Sequence, residues 1–150
     1  TNFMMGFSLV EFIGIFAVTL ITTAIVVGGF LGFKRGSELT LAKEHTLSQL
    51  REAKTRTLAA RDNAAWGAHV ETDRIILFKE IYSAGALENE TIILPASAEI
   101  SAIALAGGGN DAIFKRLTGE TDQYGTITIR SKAEATKIQT VVIQQSGLFQ

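Results

Sequence analysis

One carboxylate, Glu11, is the only charged side chain between Phe7 and Phe33. Sixteen of these positions are Leu, Ile, Val or Phe. Together they favour membrane insertion by roughly 5 to 10 kcal/mol, whereas one carboxylate at mid-bilayer costs only about 3 kcal/mol. An unpaired carboxylate is expensive in hydrocarbon, so Glu11 is expected to pair with a cation and to set the register between helices. The alternative is that its side chain only reaches up to the membrane interface.

The other reactive side chains form no pattern typical of catalysis or ligand binding. His45 and His69 lack a metal-ligand spacing, and the absence of cysteine excludes disulfides and thiolate metal sites. The glycine-rich turn at Gly107–Asn110 lacks the Lys and Ser/Thr of a phosphate-binding loop. The charges are nearly balanced, with 14 Lys+Arg against 15 Asp+Glu, which gives no bulk signal for nucleic acid. We therefore expect no enzyme activity, no cofactor, no metal and no specific nucleic-acid partner.

The first third of the chain predicts one near-continuous helix, from about Phe7 to Arg61. Residues 7–36 are apolar on every side and long enough to cross a bilayer, and they exceed the apolar core of a secretory signal. Residues 37–63 change to an amphipathic pattern, whose apolar face is expected to pack on the rest of the chain. This face contains Leu39, Leu47, Leu50, Ala53 (or Lys54 through the stem of its side chain) and Leu58, while Lys43, Glu44, Arg51, Glu52, Arg56 and Arg61 are expected on the other faces.

Residues 64–150 switch to a period of two and predict about seven short strands. A hairpin is expected from residues 66–71 and 74–79, and Pro95 is expected to end the strand that begins at Thr91. Further strands are predicted at 99–105, 111–117, 124–130 and 137–144, with a last edge at 147–149. The predicted fold class is α+β, a long N-terminal helix packed on a C-terminal antiparallel β-sheet module.

The start of the chain resembles the type IV pilins and the type II secretion pseudopilins. In that family a leader ends in glycine, the mature chain starts with phenylalanine, and its fifth residue is glutamate. Gly6, Phe7 and Glu11 match this pattern, and Ser8-Leu9-Val10 is similar to the residues between them. The hairpin sequences of residues 66–129 resemble, more loosely, a minor-pseudopilin globular domain.

The resemblance implies a precursor in the bacterial inner membrane that becomes an extracellular filament, a cell-surface pilus. A prepilin peptidase would remove the leader-like segment 1–6 by cutting between Gly6 and Phe7, and the new amine of Phe7 would be N-methylated. Glu11 would then pair with the N-terminal amine of a neighbouring subunit. The implied partners are further copies of the chain, the inner membrane, the peptidase and the pilus assembly machinery.

Three further expectations follow from this resemblance. Phe12 and Phe16 would pack in the core of the fibre. Gly28 and Gly29 occupy the place of a proline in the family, so a stretched or non-helical segment is expected at residues 23–32 of the assembled filament. The cysteine pair of many pilins is missing, so strand pairing is expected to hold the C-terminal region.

Two alternatives to a major filament subunit remain open. The first is a minor pseudopilin of a type II secretion or DNA-uptake system. Abundance separates the two, because a fibre made chiefly of this chain indicates a major subunit. The second is a single-span membrane protein with an extracytoplasmic binding domain, which would keep working if cleavage after Gly6 were blocked.

Overall fold

The computed structural model describes residues 8–150, except for the side chain of Arg35. The chain divides into two compact units, Thr1–Gly36 and Ser37–Gln150. In its described part the first unit is helical from Leu9 onward, with only Ser8 before the helix. The second contains the rest of that helix and seven strands, so the predicted α+β class is confirmed.

A single helix, α1, runs from Leu9 to Leu58. It ends three residues before the predicted position, because Ala60 takes a left-handed conformation with a φ of 50°. A short 3₁₀ turn at Arg61–Asn63 follows, and Asp62 inside it is also left-handed, a conformation that Asp and Asn tolerate better than most residues. The buried Thr57 hydroxyl then joins the helix to the first strand, since it accepts a 2.8 Å hydrogen bond from the Trp66 amide.

The strands form two antiparallel sheets. The sequence pattern predicted the strands but not their division into two sheets. The first sheet has the order β3-β2-β1-β5, and the second has the order β4-β6-β7. The predicted hairpin is confirmed as β1 and β2, with Ala68 opposite Leu77. The strands are β1 (Trp66–Val70), β2 (Arg74–Lys79), β3 (Glu90–Ile93), β4 (Ala98–Leu105), β5 (Asp111–Ile113), β6 (Gly125–Ser131) and β7 (Ile138–Ile143).

The strand predicted at 111–117 is wrong in its second half. It ends at Ile113, because the chain closes into a turn in which the Lys115 amide donates to the Glu120 carbonyl over 2.7 Å. Leu117 in this turn has a φ of 74°, which a continuing strand does not allow.

The core of residues 37–150 lies between α1 and the sheets. Ile127 and Ile129 on β6 are fully buried and alternate with Thr126 and Thr128, as the period of two of a strand with one buried face requires. Two predicted positions on the helix are wrong. Leu58 is 45% exposed, and Arg56, expected on a solvated face, is only 9% exposed. The buried helix residues are Leu39, Ala42, Thr46, Leu47, Gln49, Leu50, Ala53, Arg56 and Thr57.

Candidate functional site

The first half of α1 carries a continuous apolar surface, which is the strongest candidate for a functional site within residues 8–150. We call it the apolar helix surface and define it as the side chains from Leu9 to Phe33. Every residue of this segment is exposed except Gly32, which is half-buried. Its large apolar members are Leu9, Val10, Phe12, Ile13, Ile15, Phe16, Val18, Leu20, Ile21, Ile25, Val26, Val27, Phe30, Leu31 and Phe33.

This surface is long and apolar enough to cross a membrane. A core helix of a soluble protein passes the same test of length and composition, but such a helix is mostly buried, whereas the most apolar stretch of α1 is not buried at all within the described residues. Apolar patches larger than a few hundred Å² mark sites of contact with a membrane or another protein. The structure is therefore compatible with a membrane-associated helix.

The Glu11 carboxylate lies on the apolar helix surface near its N-terminal end. It is exposed, and its Oε2 accepts a 2.9 Å hydrogen bond from the Ser8 amide. Within residues 8–150 no hydrogen bond or ion pair reaches its other oxygen, Oε1. The predicted cation partner would have to come from outside the described chain.

The other predicted assembly residues are placed as follows. The Phe12 and Phe16 rings stack one turn apart, with centroids 6.4 Å apart and planes inclined by 18°. Gly28 and Gly29 lie in uninterrupted helix, and a Cβ added to either one would meet no atom within 4 Å. The expected non-helical segment concerns the assembled filament and stays a prediction. Gly6 and Phe7, with the predicted cleavage and methylation site, lie outside the described residues.

A cluster that the sequence missed joins the helix to the first sheet. The Arg56 guanidinium donates to both carboxylate oxygens of Glu90, over 2.6 and 2.7 Å, and to Glu52 over 2.6 Å. It also lies over the Trp66 ring, 4.9 Å from the centroid. Glu52 lies one helical turn from Arg56, an i,i+4 spacing that favours such a pair, whereas Glu90 is 34 residues away in sequence and gave no local signal.

This cluster makes stability depend on pH. The Arg56 hydrogen bonds hold the pKa of Glu90 below its ordinary value of 4.5, and Glu90 in turn raises the pKa of Arg56. A carboxylate whose pKa is lowered by folding stabilises the protein above its unfolded pKa, and this contribution is lost as the pH falls through the folded pKa.

We therefore expect the free energy of unfolding to fall as the pH is lowered below about 4.5, the ordinary pKa of Glu90, with Glu90 contributing about 1 kcal/mol or less because it is more than half exposed. Glu90→Gln should flatten that part of the profile, and Glu88→Gln, an exposed neighbour, should not. The measurement is chemical denaturation in detergent micelles, monitored by the fluorescence of Trp66, the one tryptophan. A profile for Glu90→Gln as steep as that of the parent protein would show that the pair does not contribute.

A second polar cluster lies around His69 on the first sheet. Its Nδ1 is 2.5 Å from Asp111 Oδ1, and its ring stacks on Tyr82 with centroids 3.6 Å apart. Glu71 lies 3.6 Å from the His69 Nε2 and accepts a hydrogen bond from the Tyr82 hydroxyl. No group of three His, Cys, Asp or Glu able to hold a metal ion occurs within residues 8–150. The partners around His69 fix the loop after β2 against the sheet.

The C-terminal segment is held by strand pairing and by one lysine. Gln150 exchanges two backbone hydrogen bonds with Val142, and Phe149 packs edge-on against Phe114 with centroids 5.8 Å apart. Lys54 of α1 donates a 2.8 Å hydrogen bond to the Gly147 carbonyl. Because the cysteine pair of many pilins is missing, strand pairing was expected to hold this segment. The contact between Lys54 and Gly147 was not expected.

No family model, curated protein or solved structure matches the chain. The class of protein is therefore defined by the fold and the exposed helix alone. The chain is an α+β protein with a long apolar N-terminal helix that is compatible with a membrane span.

Proposed function

We propose that the chain is a structural subunit of a type IV pilus-like extracellular filament, and that its α+β fold is a pilin fold. The observation that supports this most directly is the apolar helix surface, which stays exposed although residues 37–150 have a closed core of their own. Because the core of residues 37–150 forms without this surface, the surface can contact lipid and other copies of the chain.

The hydrophobic effect favours the removal of this surface from water, first in the membrane and then in the filament. Each Leu, Ile, Val or Phe that leaves water contributes about 1.5 to 3 kcal/mol, so fifteen such side chains strongly disfavour a free monomer in water. A bilayer covers the surface in the precursor, and neighbouring helices cover it in the filament. Residues 37–150 would then face solvent, because their core does not depend on the apolar helix surface.

Glu11 supplies the alignment in this proposal. After cleavage between Gly6 and Phe7, the new amine of Phe7 is a cation at the right end of the helix to meet the acid of a neighbouring subunit. A buried ion pair needs its partner, so only one stagger of adjacent helices avoids a buried unpaired charge. The Glu11 Oε1 oxygen has no partner within residues 8–150, and this proposal assigns it to the contact with the neighbouring amine.

The test combines electron microscopy of shed appendages with mass spectrometry of the first residue of the subunit, in cells that supply a prepilin peptidase and an assembly machinery. We expect fibres made chiefly of this chain, beginning at N-methylated Phe7. Fibres in which it is a trace component would support a minor pseudopilin instead. A functional chain that keeps residues 1–6 in the membrane would support a single-span binding protein.

A charged residue in the middle of the apolar helix surface should prevent filament assembly without preventing membrane insertion. Ile21→Arg costs about 3 kcal/mol at mid-bilayer, and with a similar cost for Glu11 the total of about 6 kcal/mol stays below most of the roughly 5 to 10 kcal/mol range that favours insertion. We expect the variant to resist carbonate extraction from membranes and to form less than about a tenth of the parental fibres, because a helix-packed core leaves the guanidinium unpaired. Ile21→Leu is the matched control and should assemble normally. Normal fibres from Ile21→Arg would rule out helix packing at this position.

A further inference from the structure

Both nitrogens of the His69 imidazole ring face a carboxylate. His69 lies on β1 between the core residues Ala68 and Val70, so its side chain points to the opposite face of the sheet. Its Nδ1 atom is 2.5 Å from Asp111 Oδ1 on β5, and its Nε2 atom is 3.6 Å from Glu71 Oε1 in the turn between β1 and β2. The His69 side chain is only 16% exposed, which leaves little water to screen these charges.

This placement suits one protonation state of the ring. An ionised carboxylate can only accept hydrogen bonds. A neutral imidazole has one donor nitrogen and one acceptor nitrogen, whereas the imidazolium donates from both. In the neutral ring, one nitrogen lone pair would face a carboxylate oxygen and repel it. The geometry around His69 therefore fits the imidazolium better than the neutral ring.

The ring of His69 also contacts the loop of residues 80–89, which joins β2 to β3. Tyr82 of this loop stacks on the imidazole ring, with centroids 3.6 Å apart and planes inclined by 6°. The Tyr82 hydroxyl donates a 3.3 Å hydrogen bond to Glu71 Oε1, the oxygen that faces His69 Nε2. Tyr82 therefore connects the loop to the charges around His69.

We propose that the protonation state of His69 controls whether the loop of residues 80–89 is held on the first sheet. The imidazolium attracts both neighbouring carboxylates and interacts with the face of the Tyr82 ring as a cation. The neutral ring loses these contributions, and its lone pair repels the carboxylate that it faces. The contact between loop and sheet is therefore strongest while the ring is protonated, and it weakens as the pH rises and the proton is lost.

The other charged groups around the ring come from each element packed on it. Asp111 is on β5, Glu71 precedes β2, and Arg74 Nε of β2 lies 3.4 Å from Glu71 Oε2. Desolvation and the Glu71 charge raise the pKa of the Tyr82 hydroxyl above its ordinary value of 10.0, so this group stays a donor at neutral pH. Carboxyl groups ordinarily titrate near pH 4 and guanidinium groups above about pH 12, so histidine is the side-chain type of this cluster that changes charge between about pH 5 and 8.

Release of the loop would move two exposed apolar side chains. Ile81 and Leu87 are 83% and 101% exposed, so they contribute little to holding the loop on the sheet. Tyr82, in contrast, also packs edge-on against Phe78 of β2, with centroids 5.6 Å apart. The inference concerns residues 37–150 alone and does not depend on the proposed filament function.

The first experiment measures cleavage by chymotrypsin after Tyr82, in the full-length chain in detergent micelles. The rate is divided by that of a free peptide of residues 78–87 at the same pH, which removes the pH dependence of the protease itself. We expect this ratio to be about fivefold higher at about pH 8 than at about pH 6, the factor that ion-pair and cation–π contributions at a partly exposed site provide.

Two histidine variants assign the effect to one ring. His69→Gln keeps a side-chain donor for Asp111 but carries no charge, so its ratios at the two pH values should agree within about twofold. His45→Gln is the matched control, because His45 on α1 is the other of the two histidines, and it should keep the parental difference. A parental difference in His69→Gln, or no difference in the parent chain, would overturn the inference.

The second experiment uses the parent chain alone, so it does not depend on the folding of a variant. NMR follows the ring signals of His69 and Tyr82 as the pH is raised from about 5 to about 8. Both rings should change with one common midpoint, and the nuclear Overhauser effect between them should weaken at the higher pH. Tyr82 signals that do not follow those of His69 would overturn the inference. The filament proposal is tested by fibres, so the two can fail separately.

Discussion

Glu11→Gln is expected to lower fibre yield by about a hundredfold or more, while the amount of membrane-inserted chain stays the same. The substitution keeps the shape of the side chain and its hydrogen bond to Ser8, but removes the charge. In the proposed filament this leaves the amine of a neighbouring subunit buried without its partner. Breaking a buried ion pair by removing one member costs about 3 to 5 kcal/mol, which corresponds to a factor of a hundred or more.

The measurement is the mass of sheared fibres per cell, normalised to the chain recovered in the membrane fraction. Glu44→Gln is the matched control, because Glu44 is an exposed acid that follows the apolar helix surface in sequence and is not part of it. We expect its yield to stay within about twofold of the parent. Parental yield from Glu11→Gln would show that Glu11 does not align the subunits through its charge.

Gly125→Ala is expected to lower the free energy of unfolding by about 3 to 5 kcal/mol, a large effect for a single methyl group. A Cβ at this position would lie 2.0 Å from the Ala104 carbonyl oxygen and 2.9 Å from the Leu105 Cα. Both contacts are with backbone, so no side chain can rotate away. Gly125 pairs with Leu105 on one side and with Ile143 on the other, which prevents a shift of the strand.

Two other glycines provide graded controls for this prediction. Gly108 has a φ of 73° with no atom near an added Cβ, so Gly108→Ala should cost only the left-handed penalty of about 1 to 2 kcal/mol. Gly85 has open space and no positive φ, and Gly85→Ala should be nearly neutral. Denaturation in micelles, followed by Trp66 fluorescence, gives all three values. Equal costs at Gly125 and Gly108 would mean that the backbone contact is relieved by local movement.

Local periodicity was sufficient to predict the helix and most of the strands, although it placed the ends of α1 and β5 too far along the chain. The apolar run from residue 7 to residue 33, the change to an amphipathic helix and the alternation of β6 are all visible in the sequence, because helices and strands repeat their contacts every 3.6 or 2 residues. Pro95 marked the end of β3 for the equally local reason that it has no amide to donate. The exposed acid in an apolar helix is likewise a property of the sequence alone.

Contacts between distant segments were decided only by the tertiary structure. Arg56 is buried because Glu90 on β3 reaches it, and no periodicity links residues 34 positions apart. Gly67 leaves space for Phe78, whose ring would come within 2.6 Å of an added Cβ, and this pairing depends on the register of β1 and β2. The division of the seven strands into two sheets and the hydrogen bond from the Ser8 amide to Glu11 were also decided only by the fold. The sequence determines which faces are apolar, because each residue carries its own hydration free energy, whereas the partner of each charge depends on where the folded chain places it.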